Sequence, residues 1–314
     1  MSTLPLRPLG FGEIVDGAVQ LYRRDFGLYY LIALLCSLPD YVLLVLWNPA
    51  ELLEGMESIE SGDDPALILE QFGAMSGSFG LLLLILLVGM FFAWYAALSI
   101  TVAMADRVED RPSSIGGAFR GALPRIPSAG GASILALLGF VIVQFILGTA
   151  LSIFSVGVLL ASSSPWMTLA AVAIMVAVTV LVTIFWIAAV FGVFPAVVIE
   201  GRPAIDALRR SFALCKSGWL KVIGIMVVAM IVYSAPPMAI QTLAGSWDLF
   251  LSPGEVATIS PTRQWILNTA DLVIGPLTVP FMVGCVMVLF HDRRVRSEGY
   301  DLERLADEME AGIR

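Results

Sequence analysis

The sequence predicts an all-α, polytopic membrane protein: a bundle of about six transmembrane helices with three short amphipathic helices on the cytoplasmic side. The first supporting observation is composition, since 58% of the 314 residues are hydrophobic and only 14% are charged, whereas soluble domains are about 25% charged. The second is a run of 74 residues, 126–199, without a charged side chain, far longer than the roughly 20 residues of one helical crossing. Both observations exclude a soluble protein with a single core.

Apolar stretches bounded by charges and turn residues predict where the chain crosses the membrane. The six predicted spans are residues 27–47, 79–105, 131–158, 165–199, 219–244 and 264–291. Ser164 followed by Pro165 is typical of a helix start. The long uncharged run is therefore predicted to divide there, with spans three and four forming a hairpin.

The basic residues predict the orientation of these spans. Of the 18 Lys and Arg residues, 17 lie in four segments, and Arg263 is the remaining one. The segments are residues 1–26, 106–130, 200–221 and 292–314. Because Lys and Arg are retained on the inner side, all four segments and both chain termini are expected in the cytoplasm. Four tryptophans then fall near the outer ends of their spans: Trp47, Trp166, Trp247 and Trp265.

Three cytoplasmic segments share one plan, which predicts an internal repeat. Each has an Arg-Pro pair, a short amphipathic stretch, one or more basic residues, and then a membrane span. The pairs are Arg7-Pro8, Arg111-Pro112 and Arg202-Pro203. Units of two crossings return the chain to the same side, so units of about 7–105, 111–199 and 202–291 would be parallel repeats within one transmembrane domain, 1–291. Pseudo-threefold symmetry about the membrane normal is the resulting hypothesis.

The three amphipathic stretches have an apolar stripe and basic residues on the other side. The stripes are Ile14, Val15, Ala18, Leu21 and Tyr22, then Ile115, Ala118, Phe119, Ala122 and Leu123, then Ile205, Leu208, Phe212 and Cys215. Helices of this kind can lie in the headgroup region with their bases on anionic lipid. The candidate headgroup contacts are Arg23, Arg24, Arg120, Arg209, Arg210 and Lys216. The alternative is that these helices pack against the cytoplasmic end of the bundle.

Three groups of residues carry a resemblance to a known family. The first is Arg7, Pro8, Leu9, Gly12, Glu13, Ile14, Asp16, Ala18, Leu21, Tyr22, Arg23, Arg24 and Phe26. The second is Phe194, Pro195, Glu200, Gly201, Ala207, Leu208, Arg210, Ser211, Leu214 and Lys216. The third is Asp292, Arg294, Arg296, Glu298, Gly299, Tyr300, Asp301, Leu302 and Glu303.

In these residues the chain resembles the membrane domain attached to some bacterial glycerophosphoryl diester phosphodiesterases, which is also found alone as a multi-pass protein. The resemblance implies a stand-alone protein of the bacterial inner membrane. It does not imply phosphodiesterase activity, because in such proteins a separate barrel domain with paired carboxylates and histidines carries the chemistry.

The residues that enzymes use for catalysis are scarce. His291 is the one histidine, a His- or Cys-based metal site needs several ligands close together, and no phosphate-loop or nucleophile-elbow motif is present. We therefore expect no enzyme activity and no cofactor. Cys36, Cys215 and Cys285 are expected to be reduced packing residues. The basic residues are explained by membrane topology, so nucleic-acid binding is not expected.

Two acids lie well inside predicted spans. Asp40 precedes Trp47 by seven residues and Asp271 follows Trp265 by six, which places both about 10 Å below the outer boundary at 1.5 Å per residue. Such acids should face the bundle interior or a wet cavity, and Asn268, three residues before Asp271, is a possible hydrogen-bond partner. One interpretation is two separate neutralised acids. The other is a shared polar cavity that opens toward the acidic outer loop, residues 48–78, and holds a proton or cation.

Three functions remain open on sequence grounds. A non-enzymatic membrane scaffold or accessory subunit, with a membrane protein or a second copy as partner, is favoured by the lack of catalytic clusters and by the amphipathic cytoplasmic tail, 292–314. A small transporter or channel is favoured by the repeats, the prolines within spans and the two intramembrane acids. Lipid binding or handling is suggested by the candidate interfacial helices.

Overall fold

A computed structural model describes residues 7–46, 65–161, 164–243 and 261–298, and the elements within these ranges are helical. The α-helices are α1 (Phe11–Arg24), α2 (Phe26–Leu46), α3 (Pro65–Val108), α4 (Ile115–Ala122), α5 (Ile126–Ala161), α6 (Pro165–Val190), α7 (Val193–Val198), α8 (Ala204–Lys216), α9 (Trp219–Leu243) and α10 (Pro261–Glu298). A single 3-10 turn, Leu123–Arg125, joins α4 to α5. Six helical segments are long and apolar enough to cross a membrane, which confirms the all-α polytopic bundle.

Several helices extend beyond the predicted spans. The 44 residues of α3 correspond to about 66 Å at 1.5 Å per residue, twice the roughly 30 Å hydrocarbon core of a bilayer. Hydropathy locates the membrane boundary, whereas helix ends are set by capping and proline, here by Pro65 at the first helical position of α3. In the same way α10 continues to Glu298, so the beginning of the predicted cytoplasmic tail belongs to this helix. Trp47, Trp247, most of the acidic loop and residues 299–314 lie outside the described residues.

The chain divides into two compact units. Unit 1 comprises Met1–Arg23, Thr101–Met230 and Val283–Arg314, and unit 2 comprises Arg24–Ile100 and Ile231–Met282. These boundaries fall inside α3, α9 and α10 rather than at the ends of the predicted repeat units. The pseudo-threefold symmetry stays a prediction.

Helix α1 of unit 1 packs against α10. Its buried residues, Ile14, Ala18 and Leu21, follow the predicted 3.6-residue period. The helices approach closely through glycines: a Cβ on Gly284 would lie 3.3 Å from the carbonyl oxygen of Ala18. The apolar stripe of α1 therefore contacts protein, as in the second interpretation of the amphipathic stretches.

Helices α4 and α8 also bury one face in unit 1. Ser114 caps α4 by accepting a hydrogen bond from the Gly117 N–H, and α8 buries Ala207, Ser211, Leu214 and Cys215. The predicted apolar stripe of α8 is thereby divided, since Cys215 is buried whereas Ile205 and Phe212 are exposed. On that side of α8 the Phe212 ring makes an edge-to-face contact with Trp186 of α6 at 5.9 Å, and Ile205 is 55% exposed.

Helices α5 and α6 pack against each other, which confirms the predicted hairpin of spans three and four. The Gln144 side-chain amide donates a 2.7 Å hydrogen bond to Thr183 across this pair, a polar link of the kind that holds helices together in lipid. Much of the remaining hairpin surface is apolar and uncovered, with Phe145 74% exposed and Leu181 66% exposed. In a membrane this surface contacts lipid or a partner helix.

The half of α10 that belongs to unit 1 is enclosed on all sides. Of the most apolar 18-residue window of the sixth span, 56% is buried, against at most 22% in the other five spans. Cys285, Met287, Val288, Leu289 and Phe290 are all at most 2% exposed. A helix that is apolar around its whole circumference is a core helix, so this half of α10 is the packing centre of unit 1.

The fourth span is interrupted between α6 and α7. At the break, Ser211 of α8 accepts a hydrogen bond from the Gly192 N–H at 2.9 Å and donates to the Ala189 carbonyl at 2.7 Å. The hydroxyl thus satisfies a backbone donor and a backbone acceptor, which would be costly to leave unpaired in a buried site. A Cβ on Gly192 would lie 3.1 Å from the Phe290 ring, so glycine lets the break approach α10.

Replacing this hydroxyl should destabilise unit 1. We expect Ser211→Ala to lower the free energy of unfolding by about 2 kcal/mol, because two buried backbone groups lose their partner. Thermal unfolding in detergent can be followed with a thiol-reactive dye, because Cys36, Cys215 and Cys285 are buried and free. The matched control is Ser152→Ala, since the exposed Ser152 hydroxyl bonds only carbonyls of its own helix. Equal melting temperatures for the two variants would contradict the assigned role.

Candidate functional site

The two intramembrane acids lie on facing helices of unit 2. Asp40 of α2 is half-buried and Asp271 of α10 is exposed with respect to protein, and the two carboxylates are close enough to interact electrostatically. Asp40 also lies against α3, with Oδ1 2.5 Å from the position that a Cβ on Gly89 would occupy. Glycine at position 89 therefore leaves room for this carboxylate.

Hydrogen bonds between α2 and α10 surround the acid pair. The hydroxyls of Tyr41 and Thr269 are 3.0 Å apart, and Tyr30 donates a 3.2 Å hydrogen bond to the Val273 carbonyl. Because Thr269 uses its own proton on the Trp265 carbonyl, Tyr41 is the donor to Thr269. The α2–α10 contact is thus polar on both sides of the acids.

Asn268, the third residue of this predicted site, is also on α10. It lies one helical turn before Asp271 and is half-buried. Within the described ranges neither Asp40 nor Asp271 makes a hydrogen bond or an ion pair. The structure therefore brings the two acids together, and the shared wet cavity stays a prediction.

A second charged site lies in unit 1 and was not predicted from the sequence. The Asp292 side chain is fully buried and accepts hydrogen bonds from the Leu9 N–H at 2.8 Å, Lys221 Nζ at 2.8 Å and Arg296 Nε at 2.9 Å. Lys221 and Arg296 also both donate to the Leu9 carbonyl, at 2.6 and 2.7 Å. This Asp292 cluster, defined by Leu9, Lys221, Asp292 and Arg296, ties α9 and the segment before α1 to α10.

The next residue of α10, Arg293, is also buried. Its Nε donates to the Leu214 carbonyl at 3.2 Å and Nη2 donates to the Ser217 hydroxyl at 2.5 Å. A cation at the last carbonyls of α8 is favourable because the C-terminal end of a helix carries partial negative charge. The guanidinium lies directly against Gly218, where a Cβ would overlap it.

Three arginines of unit 1 converge on Glu200. Arg210 contacts Oε1 with Nε at 3.1 Å and Nη2 at 2.8 Å, and Arg294 Nε lies 3.2 Å from the same oxygen. Arg202 Nε contacts Oε2 at 2.5 Å. The Glu200 carboxylate is only 9% exposed, whereas the Arg202 side chain is 42% exposed. This Glu200 cluster, defined by Glu200, Arg202, Arg210 and Arg294, carries three positive charges against one negative charge.

The arginines of the three Arg-Pro pairs share one kind of contact. In each pair the arginine makes an ion pair with a nearby glutamate: Arg7 with Glu13, Arg111 with Glu109 and Arg202 with Glu200. In the second and third pairs the residue before the arginine has a positive φ, 57° at Asp110 and 63° at Gly201. In the sequences Glu109-Asp110-Arg111-Pro112 and Glu200-Gly201-Arg202-Pro203, the residue between the glutamate and the arginine is thus in the left-handed region.

Ionisation at this end of unit 1 follows local contacts. The hydrogen bonds from the Arg7 guanidinium and the Gly10 N–H hold the pKa of Glu13 below its usual value, so the pair stays charged near neutral pH. Burial raises the pKa of the Cys215 thiol, which disfavours the reactive thiolate. Among the described residues no group of three or more His, Cys, Asp or Glu side chains could hold a metal ion.

The predicted headgroup contacts differ in their surroundings. Five of the six are exposed: Arg23, Arg24, Arg120, Arg209 and Lys216. The sixth, Arg210, is 13% exposed and is bound to Glu200. No protein-family model, curated protein or solved structure matches the chain.

The buried carboxylate of the Asp292 cluster should be essential for the stability of unit 1. We expect Asp292→Asn to lower the free energy of unfolding by roughly 2–3 kcal/mol, because Lys221 and Arg296 lose their counter-charge. The loss should stay below the upper range for buried pairs, since both bases keep partial access to solvent. Melting temperature in detergent is the measurement, with the exposed acid variant Asp16→Asn as control. An unchanged melting temperature for Asp292→Asn would show that the cluster does not hold the unit together.

Proposed function

We propose that the protein is a non-enzymatic, multi-pass scaffold or accessory subunit of a membrane complex. The observation that supports this proposal most strongly is the use of charge on α10. Asp292, Arg293, Arg294 and Arg296 bind neighbouring segments of unit 1. Charged side chains that are fully engaged in such contacts hold a fold in one conformation and are poorly suited to transferring protons or groups.

The hairpin of α5 and α6 is the surface on which we propose that a partner binds. The window of the third span has none of its residues buried, and the polar Gln144–Thr183 link fixes the two helices as a pair. A rigid pair with an uncovered apolar face presents constant side chains to a neighbouring helix. Helix association in lipid depends on this kind of close packing.

Photo-crosslinking in cells tests the scaffold proposal. A photoreactive residue replaces Phe145 or Leu181 on the hairpin, and we expect discrete protein adducts from at least one of these positions. Leu243, which is 90% exposed on α9, and buried Val222 are the exposed and buried controls, from which we expect lipid adducts and no intermolecular adduct, respectively. Reciprocal purification of the adduct partner should then recover the chain. Lipid adducts alone at both hairpin positions would contradict the proposal.

We also propose that the chain belongs to the family that it resembles, the membrane domain of glycerophosphoryl diester phosphodiesterases, and that it lies in the inner membrane with both termini in the cytoplasm. Residues of the resemblance lie at the centres of both clusters of unit 1, Glu200 and Asp292. This placement supports a structural role for the shared residues and no hydrolytic role.

A second candidate function is transport of protons or cations through unit 2. The specific observation in its favour is the proximity of Asp40 and Asp271 on facing helices. Carboxylates in an apolar layer are costly, and two adjacent like charges are more so, unless a proton or cation neutralises one of them. The prolines inside α2 and α10, at Pro39 and Pro276, remove backbone donors and leave carbonyls that an ion could contact.

Proteoliposome flux measurements test this second function. We expect the wild-type protein to carry protons or a metal cation under an imposed membrane potential, and Asp40→Asn and Asp271→Asn to reduce the flux to that of protein-free vesicles. Asp16→Asn makes the same chemical change at an exposed position of α1 and should leave the flux unaltered. A wild-type flux no higher than that of empty vesicles, or one that both substitutions leave intact, would rule this function out.

A further inference from the structure

The junction between α8 and α9 is held from its buried side. Arg293 of α10 donates to the Leu214 carbonyl at 3.2 Å and to the Ser217 hydroxyl at 2.5 Å. The Ser217 hydroxyl in turn donates to the same Leu214 carbonyl at 3.0 Å. These hydrogen bonds fix the backbone from which the side chains of Lys216 and Trp219 extend on the outer side.

Lys216, the last residue of α8, presents an exposed base at this junction. Within the described part of the chain no acid forms an ion pair with it. The Leu214 carbonyl at this end of α8 already accepts two hydrogen bonds. An ammonium group has three protons to donate and no acceptor. Those of Lys216 are therefore available to an anion from outside the chain.

The side chains that follow Lys216 are apolar and exposed. Trp219 and Leu220, the first two residues of α9, are 49% and 68% exposed. Met230 lies eleven residues after Trp219, which is three turns along the same side of the helix, and is 39% exposed. The other side of α9 is buried through Val222, Ile225, Met226 and Ala229. In a membrane the exposed side of this span contacts lipid, and Trp219 lies at the end of that side.

A base three residues before a tryptophan at the end of a span suits a phospholipid. Indoles prefer the boundary between acyl chains and headgroups, and long basic side chains extend from that boundary toward the headgroups. Three residues span at most about 10 Å, so Lys216 and Trp219 can contact the two parts of one lipid molecule. A free anion would pair with Lys216 and leave the apolar side chains of Trp219 and Leu220 uncovered.

We propose that Lys216, Trp219 and Leu220 form a binding site for an anionic phospholipid in the leaflet next to α8. Lys216 pairs with the negatively charged headgroup, and Trp219 and Leu220 contact the acyl chains below it. Arg293 is a positioning residue, because it fixes the junction without reaching the lipid. This inference goes beyond the scaffold function, and neither depends on the other.

Retention of phosphatidylglycerol by the full-length protein in detergent, measured by native mass spectrometry, tests the role of the charge. We expect Lys216→Gln to weaken this retention about fivefold, the effect of one basic residue beside an anionic membrane surface. Retention of zwitterionic phosphatidylcholine should change less than about twofold, because that lipid has no net charge to pair with Lys216.

Arg111→Gln is the matched control, because Arg111 is also exposed but is paired with Glu109. It should alter phosphatidylglycerol retention less than about twofold, since exposed ion pairs contribute little. Equal weakening by Lys216→Gln and Arg111→Gln would show non-specific attraction to basic surface and overturn the proposal. Retention that Lys216→Gln leaves unchanged would overturn it as well.

Fluorescence quenching in proteoliposomes tests the position of the indole. The chain has seven tryptophans, so the quenching due to Trp219 is the part that Trp219→Phe removes. We expect phosphatidylglycerol brominated on its acyl chains to quench Trp219 more strongly than an equal fraction of brominated phosphatidylcholine. Lys216→Gln should remove this difference, and Arg111→Gln should keep it. Equal quenching by the two lipids in the wild-type protein, or no quenching of Trp219 by either, would reject the site.

Discussion

The buried carboxylate of Asp292 is the contact on which unit 1 depends. Its two oxygens accept hydrogen bonds from the backbone before α1, from Lys221 of α9 and from Arg296 of α10. Segments separated by up to 283 positions in the chain are thereby joined at one point. Burying a charged group is costly unless its lone pairs and protons all form hydrogen bonds. The Leu9 carbonyl contributes to this by accepting hydrogen bonds from both Lys221 and Arg296. The enclosed position of α10 follows from this arrangement.

The polar contacts of unit 1 also explain why its glycines and short helices lie where they do. Ser211 bridges the break between α6 and α7, and Gly192 lets that break approach Phe290. Arg293 donates a hydrogen bond to the Leu214 carbonyl at the C-terminal end of α8. Its guanidinium occupies the space that a side chain at Gly218 would fill. The Ser211 hydroxyl and the Arg293 guanidinium each form hydrogen bonds with backbone groups for which lipid offers no partner. Helices α1 and α8 and the break before α7 thus all lie against α10.

The sequence predicted the spans well because their signal is local and strong. Runs of apolar residues, Ser164-Pro165 and the Arg-Pro pairs define six helical crossings, one hairpin and three short helices, all seen in the structure. Helix ends were predicted less well, as with α3, because they depend on caps rather than on hydropathy. Asp40 and Asp271 lie near each other on facing helices, and their depth below the outer membrane boundary stays a prediction.

The clusters around Glu200 and Asp292 escaped prediction because charges near membrane ends are ordinarily explained by topology. Nothing local distinguishes Arg202, whose donors are open, from Arg210, which is bound and buried. The repeated Glu-x-Arg-Pro turn was readable from the sequence, but the bases that arrive from α8 and α10 beside Glu200 are long-range contacts. Those added bases are what separate the third turn from the second. Two segments with the same Glu-x-Arg-Pro pattern therefore differ in their charged surroundings because of tertiary packing.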